Sequence, residues 1–423
     1  MGEMVHLSLG RIRIATGKNE SLCYYANLFK PEFAATVPHF YAGDPDDPDL
    51  ADRPLVETKW SKYRLLIEHK PGFAAPLSVV ADRLRMLGYT DEYCREEFEV
   101  FNEHRDAARH DFSFDEMRSI LSKANFADGA FQEKLGSIGF ANFMAERVLP
   151  QFGKKAAARI RLGEYDEVNG LTPLSALYLL SKNPTARALP LMWQFADVKE
   201  GEYAPPHEFD AGVSEEARYL LVTEGTSDAQ ILRHALQLLR PNISDFFHFV
   251  DMQDNYPFSG TGNLYRFIQG LVSIRIKNQI VIIFDNDAEG TFNWERAQQL
   301  TPLPNLKIIK LPALKRFKRF KTIGPTGERI TDINGKAAAI EAYLDVGGAP
   351  VVRWTNYDSV RDCYQGHVVA KAELAKAFLR QRSKQSGYDY SGLESVLTLI
   401  ADTCAEMAKA DSLAGLKNMV YVM

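Results

Sequence analysis

The chain is poor in cysteine. Of its 423 residues four are Cys, at 23, 94, 363 and 404, each isolated in the sequence. The absence of any C-x-x-C pair argues against a zinc knuckle, a thioredoxin-like redox site or a secreted disulfide framework, and makes reducing cytoplasm the expected compartment. Long uncharged apolar runs are missing as well, none approaching the roughly 18 to 20 residues that a membrane span needs. The opening MGEMVHLSLGRIRIATG lacks an apolar signal core, and His6 stands where a myristoylation signal would want Ser or Thr, so neither export nor an acyl anchor is expected. Charge of one sign is hardly in excess. A formal net charge of -5 leaves room for a nucleic-acid site only as a local patch. Internal repeats and low-complexity tracts are also lacking.

What remains is an ordinary globular composition, 46% hydrophobic and 25% charged. At roughly 100 to 200 residues per domain, the length predicts two or three domains, each able to bury its own core. Residues 1–200 read as mixed and mostly helical after a strand-like opening in which Val5, Leu7 and Leu9 alternate with polar neighbours. Leu77, Val80, Ala81, Leu84 and Leu87 form one helical stripe closed by Gly88. Thr90 precedes a second helix, and Ser113 with Glu116 spells a capping box that opens a third. The polar, Pro- and Gly-containing stretch Lys199 to Glu216 marks a boundary. Beyond it, over 216–346, short β-branched and aromatic runs (YLLVT, FHFVDM, QIVIIF, LKIIKL) alternate with helical stretches, the pattern of a parallel sheet covered on both faces. Residues 350–423, with a candidate hairpin (VVRWT, GHVVA) and two helical stretches, read as a small α+β C-terminal region.

In open parallel sheets the ligand crevice lies outside the carboxyl ends of the strands. Two of those ends are acidic here. YLLVTEGTSD puts Glu224 at the tip of one strand, Gly225 in the turn and Asp228 at the start of the next helix; IVIIFDNDAEG puts Asp285 and Asp287 at the tip of another. Were the two strands neighbours, about 4.8 Å apart, the carboxylates would share one side of the sheet. Convergent carboxylates resist ionising together unless a hard divalent cation sits between them, and Mg²⁺ (or Mn²⁺) suits such a set, leaving waters to meet phosphate oxygens. Metal-assisted phosphoryl transfer is the expected chemistry.

At these residues the sequence resembles the Toprim domain shared by topoisomerases, bacterial primases and several nuclease families: a strand ending in Glu-Gly (Glu224, Gly225) and a later one ending in Asp-x-Asp (Asp285, Asn286, Asp287). The resemblance implies a Rossmann-like parallel sheet, Glu224 as general acid or base, and Asp285 and Asp287 as Mg²⁺ ligands, with Glu224 and Asp228 beside the metal. More loosely, Gly260-Thr261-Gly262-Asn263 and TDINGKAAAIEAYL look like bacterial HEPN/Toprim-associated proteins, in which an N-terminal domain, here 1–200, precedes the Toprim domain. Some Toprim nucleases of the overcoming-lysogenization-defect type use an extra acidic residue for a second metal, a role that would fall to Glu341; its plainer reading is an exposed helix glutamate. Taken together, the resemblance implies an α/β Mg²⁺-dependent nuclease cutting DNA or RNA, an effector of antiphage defence whose N-terminal domain meets a partner protein or trigger.

Between Thr301 and Lys321 stand seven basic residues and no acidic one. Within that run Lys315, Arg316, Phe317, Lys318, Arg319 and Lys321 interleave cations with Phe317 and Phe320, as expected where phosphates are neutralised and unstacked bases rest on rings. The Arg-then-His spacing of HEPN ribonucleases occurs at Arg64/His69, Arg105/His110 and Arg361/His367, too freely to mark a site. Two other readings stay open. A haloacid-dehalogenase-like phosphatase also places Asp-x-Asp after a hydrophobic strand, although Thr or Val would then be usual where Glu289 stands. A non-catalytic nucleic-acid-binding or regulatory module would use the patch alone.

Overall fold

In the computed structural model every residue is described except 1, 58–61, 104–111, 127–137, 154–158, 160–167, 251–260, 301–302, 346, 348–351, 360–362 and 421–423. Arg105, His110, Gly260 and Arg361 lie outside the described residues. The chain divides into two compact units, Met1–Ser214 with Ala408–Met423, and Glu215–Met407. Among the described residues no helix is long and apolar enough to cross a membrane.

The first unit is built on a seven-stranded sheet comprising β1 (Met4–Leu9), β2 (Ile12–Lys18), β3 (Ala34–Gly43), β4 (Leu55–Glu57), β5 (Lys62–Pro76), β6 (Ile138–Gly139) and β7 (Pro190–Gln194). Its order is β3-β5-β7-β1-β2-β6, with β4 beside β5 and only the β2–β6 pair parallel. The mixed N-terminal region therefore holds much more sheet than its strand-like opening announced. β3 and β5 form a long antiparallel pair in which few residues are fully buried, interrupted by Pro38, Pro71 and Gly72, so the alternation that announces a half-buried strand is mostly missing. The helical stripes do appear where the sequence places them. Leu77–Met86 buries Leu77, Val80 and Leu84, and Phe114–Lys123 opens on the Ser113/Glu116 capping box, with both reciprocal hydrogen bonds made. The core gathers around fully buried Trp193, which stacks near Phe29 and Phe73.

The second unit carries a four-stranded parallel sheet of β8 (Tyr219–Thr223), β9 (Phe247–Phe249), β10 (Gln279–Phe284) and, passing over the short β11 (Asn286–Asp287), β12 (Leu306–Lys310), in the order β12-β10-β8-β9. β10 is buried on both faces, as its unbroken apolar run demands: Ile280, Ile282 and Phe284 join one core with Leu264, Ile268 and Leu306, while Val281 and Ile283 are buried on the other face. The connecting helices Thr226–Leu239, Thr261–Ser273 and Ala288–Ala297 coincide closely with the helical stretches read from sequence. A second sheet comes next, β13 (Phe320–Gly324), β14 (Gly327–Thr331), β16 (Val352–Asp358) and β17 (Cys363–Val368), in the order β14-β13-β16-β17; the small β15 (Ala337–Ala338) instead pairs with β11. The predicted hairpin at VVRWT and GHVVA is the antiparallel β16–β17 pair, and β16 runs parallel to β13.

Candidate active site

β8 and β10 are direct parallel neighbours, with Thr223 opposite Ile283, so the residues beyond their carboxyl ends emerge side by side. The Asp285 amide N–H donates to Glu224 Oε1 at 2.9 Å, locking one tip to the other. Gly225 leads into the next helix, its N–H donating to Asp228 Oδ2 at 3.0 Å. Asp287 caps the helix after β10, accepting from the Gly290 N–H at 2.8 Å. Only glycine fits at 290: a Cβ there would lie 2.4 Å from the Asp285 carbonyl oxygen and 2.8 Å from Glu224 Oε1. Asn286 between the two aspartates is buried and faces inward, its Oδ1 accepting from the Gly335 N–H at 2.9 Å and its Nδ2 donating to the Tyr343 hydroxyl at 3.3 Å. The middle residue of the Asp-x-Asp run thus anchors the loop while the aspartates flank it.

Glu341 joins the group. It is 5% exposed, in a short turn rather than on an exposed helix face, and Lys371 Nζ lies 3.4 Å from its Oε2. The electrostatics are those of crowded like charges. Burial, then Asp287, pushes Glu224 up to about 8; burial, then Glu341, pushes Asp228 up to about 6. Asp285 is driven up by burial and by Asp228, Glu224 and Asp287, and Asp287 is raised chiefly by burial, against the Gly290 N–H and Lys371. Burial works to discharge Lys371, yet Glu341, Asp285 and Asp228 hold its ammonium above the ordinary range. Lys371 is the member of this group that sequence reasoning missed, since a lysine at a helix start has no feature to set it apart from a solvated one. Glu224, Asp228, Asp285, Asp287 and Glu341 are thus all drawn into one electrostatic group. Among the described residues no three Asp, Glu, His or Cys side chains are placed as a ready-made metal shell.

The basic run is placed differently from its sequence reading. Phe317 is fully buried and packs edge-on against Tyr343, ring centroids 4.9 Å apart, and Phe320 is buried beside it. Neither ring can receive a base. Arg316 is half-buried and engaged, donating to Asp389 at 2.8 Å and to the Ala342 carbonyl at 3.2 Å, and Lys321 pairs with Glu328 at 3.0 Å. Lys315, Lys318 and Arg319 are exposed. The interleaving comes from a short 3₁₀ turn, Lys315–Arg319, that buries one side and solvates the other.

A family model described as HEPN/Toprim N-terminal domain 1 matches residues 1–217. The chain belongs to this family. The HEPN/Toprim N-terminal match covers the seven-stranded sheet and ends just before β8, so the acidic strand tips lie C-terminal to it. Neither a curated protein nor a solved structure matches the chain.

Proposed function

We propose that Glu215–Met407 is a Toprim-type unit that hydrolyses phosphodiester bonds of DNA or RNA, making this HEPN/Toprim-family chain a nuclease. The observation that carries the reading is the junction of two acidic strand tips, the Asp285 N–H held on the Glu224 carboxylate at 2.9 Å, with Asp287 and Asp228 close enough to oppose ionisation. The donor chemistry fits Mg²⁺ or Mn²⁺: every acidic group is a hard oxygen donor, and Glu224, Asp228, Asp285 and Asp287 are each discouraged from ionising by burial and then by neighbouring carboxylates, a strain that a divalent cation relieves. Asp285, Asp287 and Glu224 would hold it, with Asp228 and Glu341 as further ligands, after side-chain rotation, since no ready-made shell is placed. The ion, when bound, polarises the phosphoryl oxygens and eases water deprotonation.

The chain's own residues account for the rest. Glu224, whose carboxyl is pushed up to about 8 in the metal-free fold and which a bound cation would ionise, can take a proton from the attacking water and hand it to the departing oxygen. Lys371 keeps a positive charge beside Asp285, Asp228 and Glu341, balancing the cluster and facing a phosphate favourably. The family's link to nuclease-type proteins supports the reading, and a role as an antiphage effector restrained by the N-terminal domain extends it by analogy. The test is incubation of the purified chain and Mg²⁺ with plasmid, single strands and total RNA. Asp285→Asn and Asp287→Asn should abolish cutting while circular dichroism stays unchanged. Cutting that survives either substitution, or survives EDTA in full, removes the reading.

A further inference from the structure

With Phe317 and Phe320 buried, the rings that a nucleic-acid unit would offer its substrate must lie elsewhere, and the second sheet of this unit presents them. Trp354 and Tyr357 sit on β16 and Tyr364 on β17. Three residues apart on a regular strand, Trp354 and Tyr357 would point to opposite faces. The β16–β17 register slips between Trp354 and Asn356: Trp354 pairs with Gly366 and Asn356 with Gln365, so Thr355 is extra and Tyr357 returns to the side of Trp354. Tyr364 lies opposite Tyr357, ring centroids 5.2 Å apart, and 6.4 Å from Trp354.

The surface is built to hold these rings in place. A Cβ on Gly366 would come within 2.8 Å of the Trp354 ring, and one on Gly324 within 3.4 Å, so two glycines make the seat for the indole. Tyr357 and Tyr364 remain 51% and 52% exposed, unusual for tyrosines packed on one another. The rings line a cavity of about 550 Å³ whose other wall includes Arg329 and Lys336, both exposed. Asp332, the acidic residue of that wall, is engaged with the Asn334 backbone and side-chain amides at 2.9 and 2.8 Å. Lys336 ties the cavity to the acidic tips, since its backbone bridges to Asp287 and the next residue, Ala337, pairs with Asp287 in the β11–β15 ribbon.

We infer that this cavity receives an unpaired nucleobase of a single-stranded segment, stacked on Trp354, Tyr357 and Tyr364, while Arg329 and Lys336 take the phosphates leading towards Asp287. Exposed rings carry no base preference, so the contact is tolerant of sequence and demands only that the base be out of a duplex. Cations beside the rings supply the charge complementarity that a polyanion needs on an otherwise acidic chain. The inference rests on the nuclease reading for its substrate class and adds to it strandedness and the place where the strand is gripped.

The experiment compares labelled single-stranded DNA and RNA oligomers with abasic oligomers of the same length, which keep the phosphates and lose the bases. Binding is read by fluorescence anisotropy on the full chain carrying Asp285→Asn. The double variant Tyr357→Leu/Tyr364→Leu should weaken binding of base-bearing oligomers by about 10- to 100-fold, the scale of a lost stacked base. Tyr357→Phe/Tyr364→Phe, which keeps the rings, should bind like the parent, and the abasic oligomer should bind all three proteins alike. The inference is overturned if the parent does not favour the base-bearing strand, if the Leu variant binds it unchanged, as a protein-docking surface would, or if a mononucleotide saturates the site with no gain from a longer strand. Failure of the nuclease reading shows separately, as absence of cutting by the wild-type chain.

Discussion

At the scale of single residues, the acidic group couples pH, metal and stability. The Glu224 carboxyl ionises at 4.5 when unperturbed and is pushed up to about 8 in the fold, and Asp228 moves from 3.8 to about 6. Between those limits the folded chain holds more protons than the unfolded one, so these groups stabilise the fold at low pH and lose that contribution as pH rises through the folded values. Glu224→Gln keeps an acceptor for the Asp285 N–H and cannot ionise. The melting temperature of Glu224→Gln minus that of the wild type should therefore grow between pH 5 and pH 8 in EDTA, tracked by scanning fluorimetry. Mg²⁺ should narrow that gap by favouring the ionised wild type. A gap that is flat with pH would mean Glu224 is not held protonated. Residue identity was legible where a strand pointed to it, as for Glu224, Asp285 and Asp287. It was not legible for Phe317, because a linear string of cations and rings does not say which ring a 3₁₀ turn buries, nor for Lys371, whose meaning arises only from the carboxylates brought to it.

At the scale of elements, β8 and β10 were readable almost to the residue, because both are apolar runs of β-branched and aromatic side chains bounded by acidic turns. The β3–β5 pair was not, because strands with few fully buried side chains carry little period-2 signal. The start of the Ala288–Ala297 helix is the tightest joint near the acidic tips. Gly290→Ala must move that helix off the Asp285 carbonyl and loosen the Asp287 cap, and it should lower cutting at least about tenfold, on the scale expected when catalytic groups are displaced by about an ångström. Gly270→Ala is the matched control. Gly270 lies inside the Thr261–Ser273 helix with open space where the Cβ would go, and the substitution should stabilise the chain by up to about 1 kcal/mol without touching activity. Equal rates for Gly290→Ala and wild type would show that the helix start does not set the geometry of the acidic tips.

At the scale of the whole molecule, the second unit is an insertion: the first is made of Met1–Ser214 and of Ala408 onward, the end of the helix Ser391–Val420. No feature of the sequence marks this return. Within the first unit that helix end is fitted closely. Leu413 packs on the core, Lys409 bonds Glu92 at 2.7 Å, and Gly88, at φ +92°, leaves room for the Ala408 backbone where a Cβ would come within 2.7 Å. Ending the chain at Met407 should lower the melting of the first unit by several degrees, resolved by calorimetry, while leaving the second transition in place; a first transition left unmoved would count against the closure. The same division has a consequence for biosynthesis. A ribosome delivers domains in order, and they fold as they emerge. The unit with the acidic tips is complete before Ala408 has been added, so Met1–Ser214, translated ahead of it, is the later of the two to close. A stop codon shortly after Met407 would leave the acidic unit whole and the first unit unfinished.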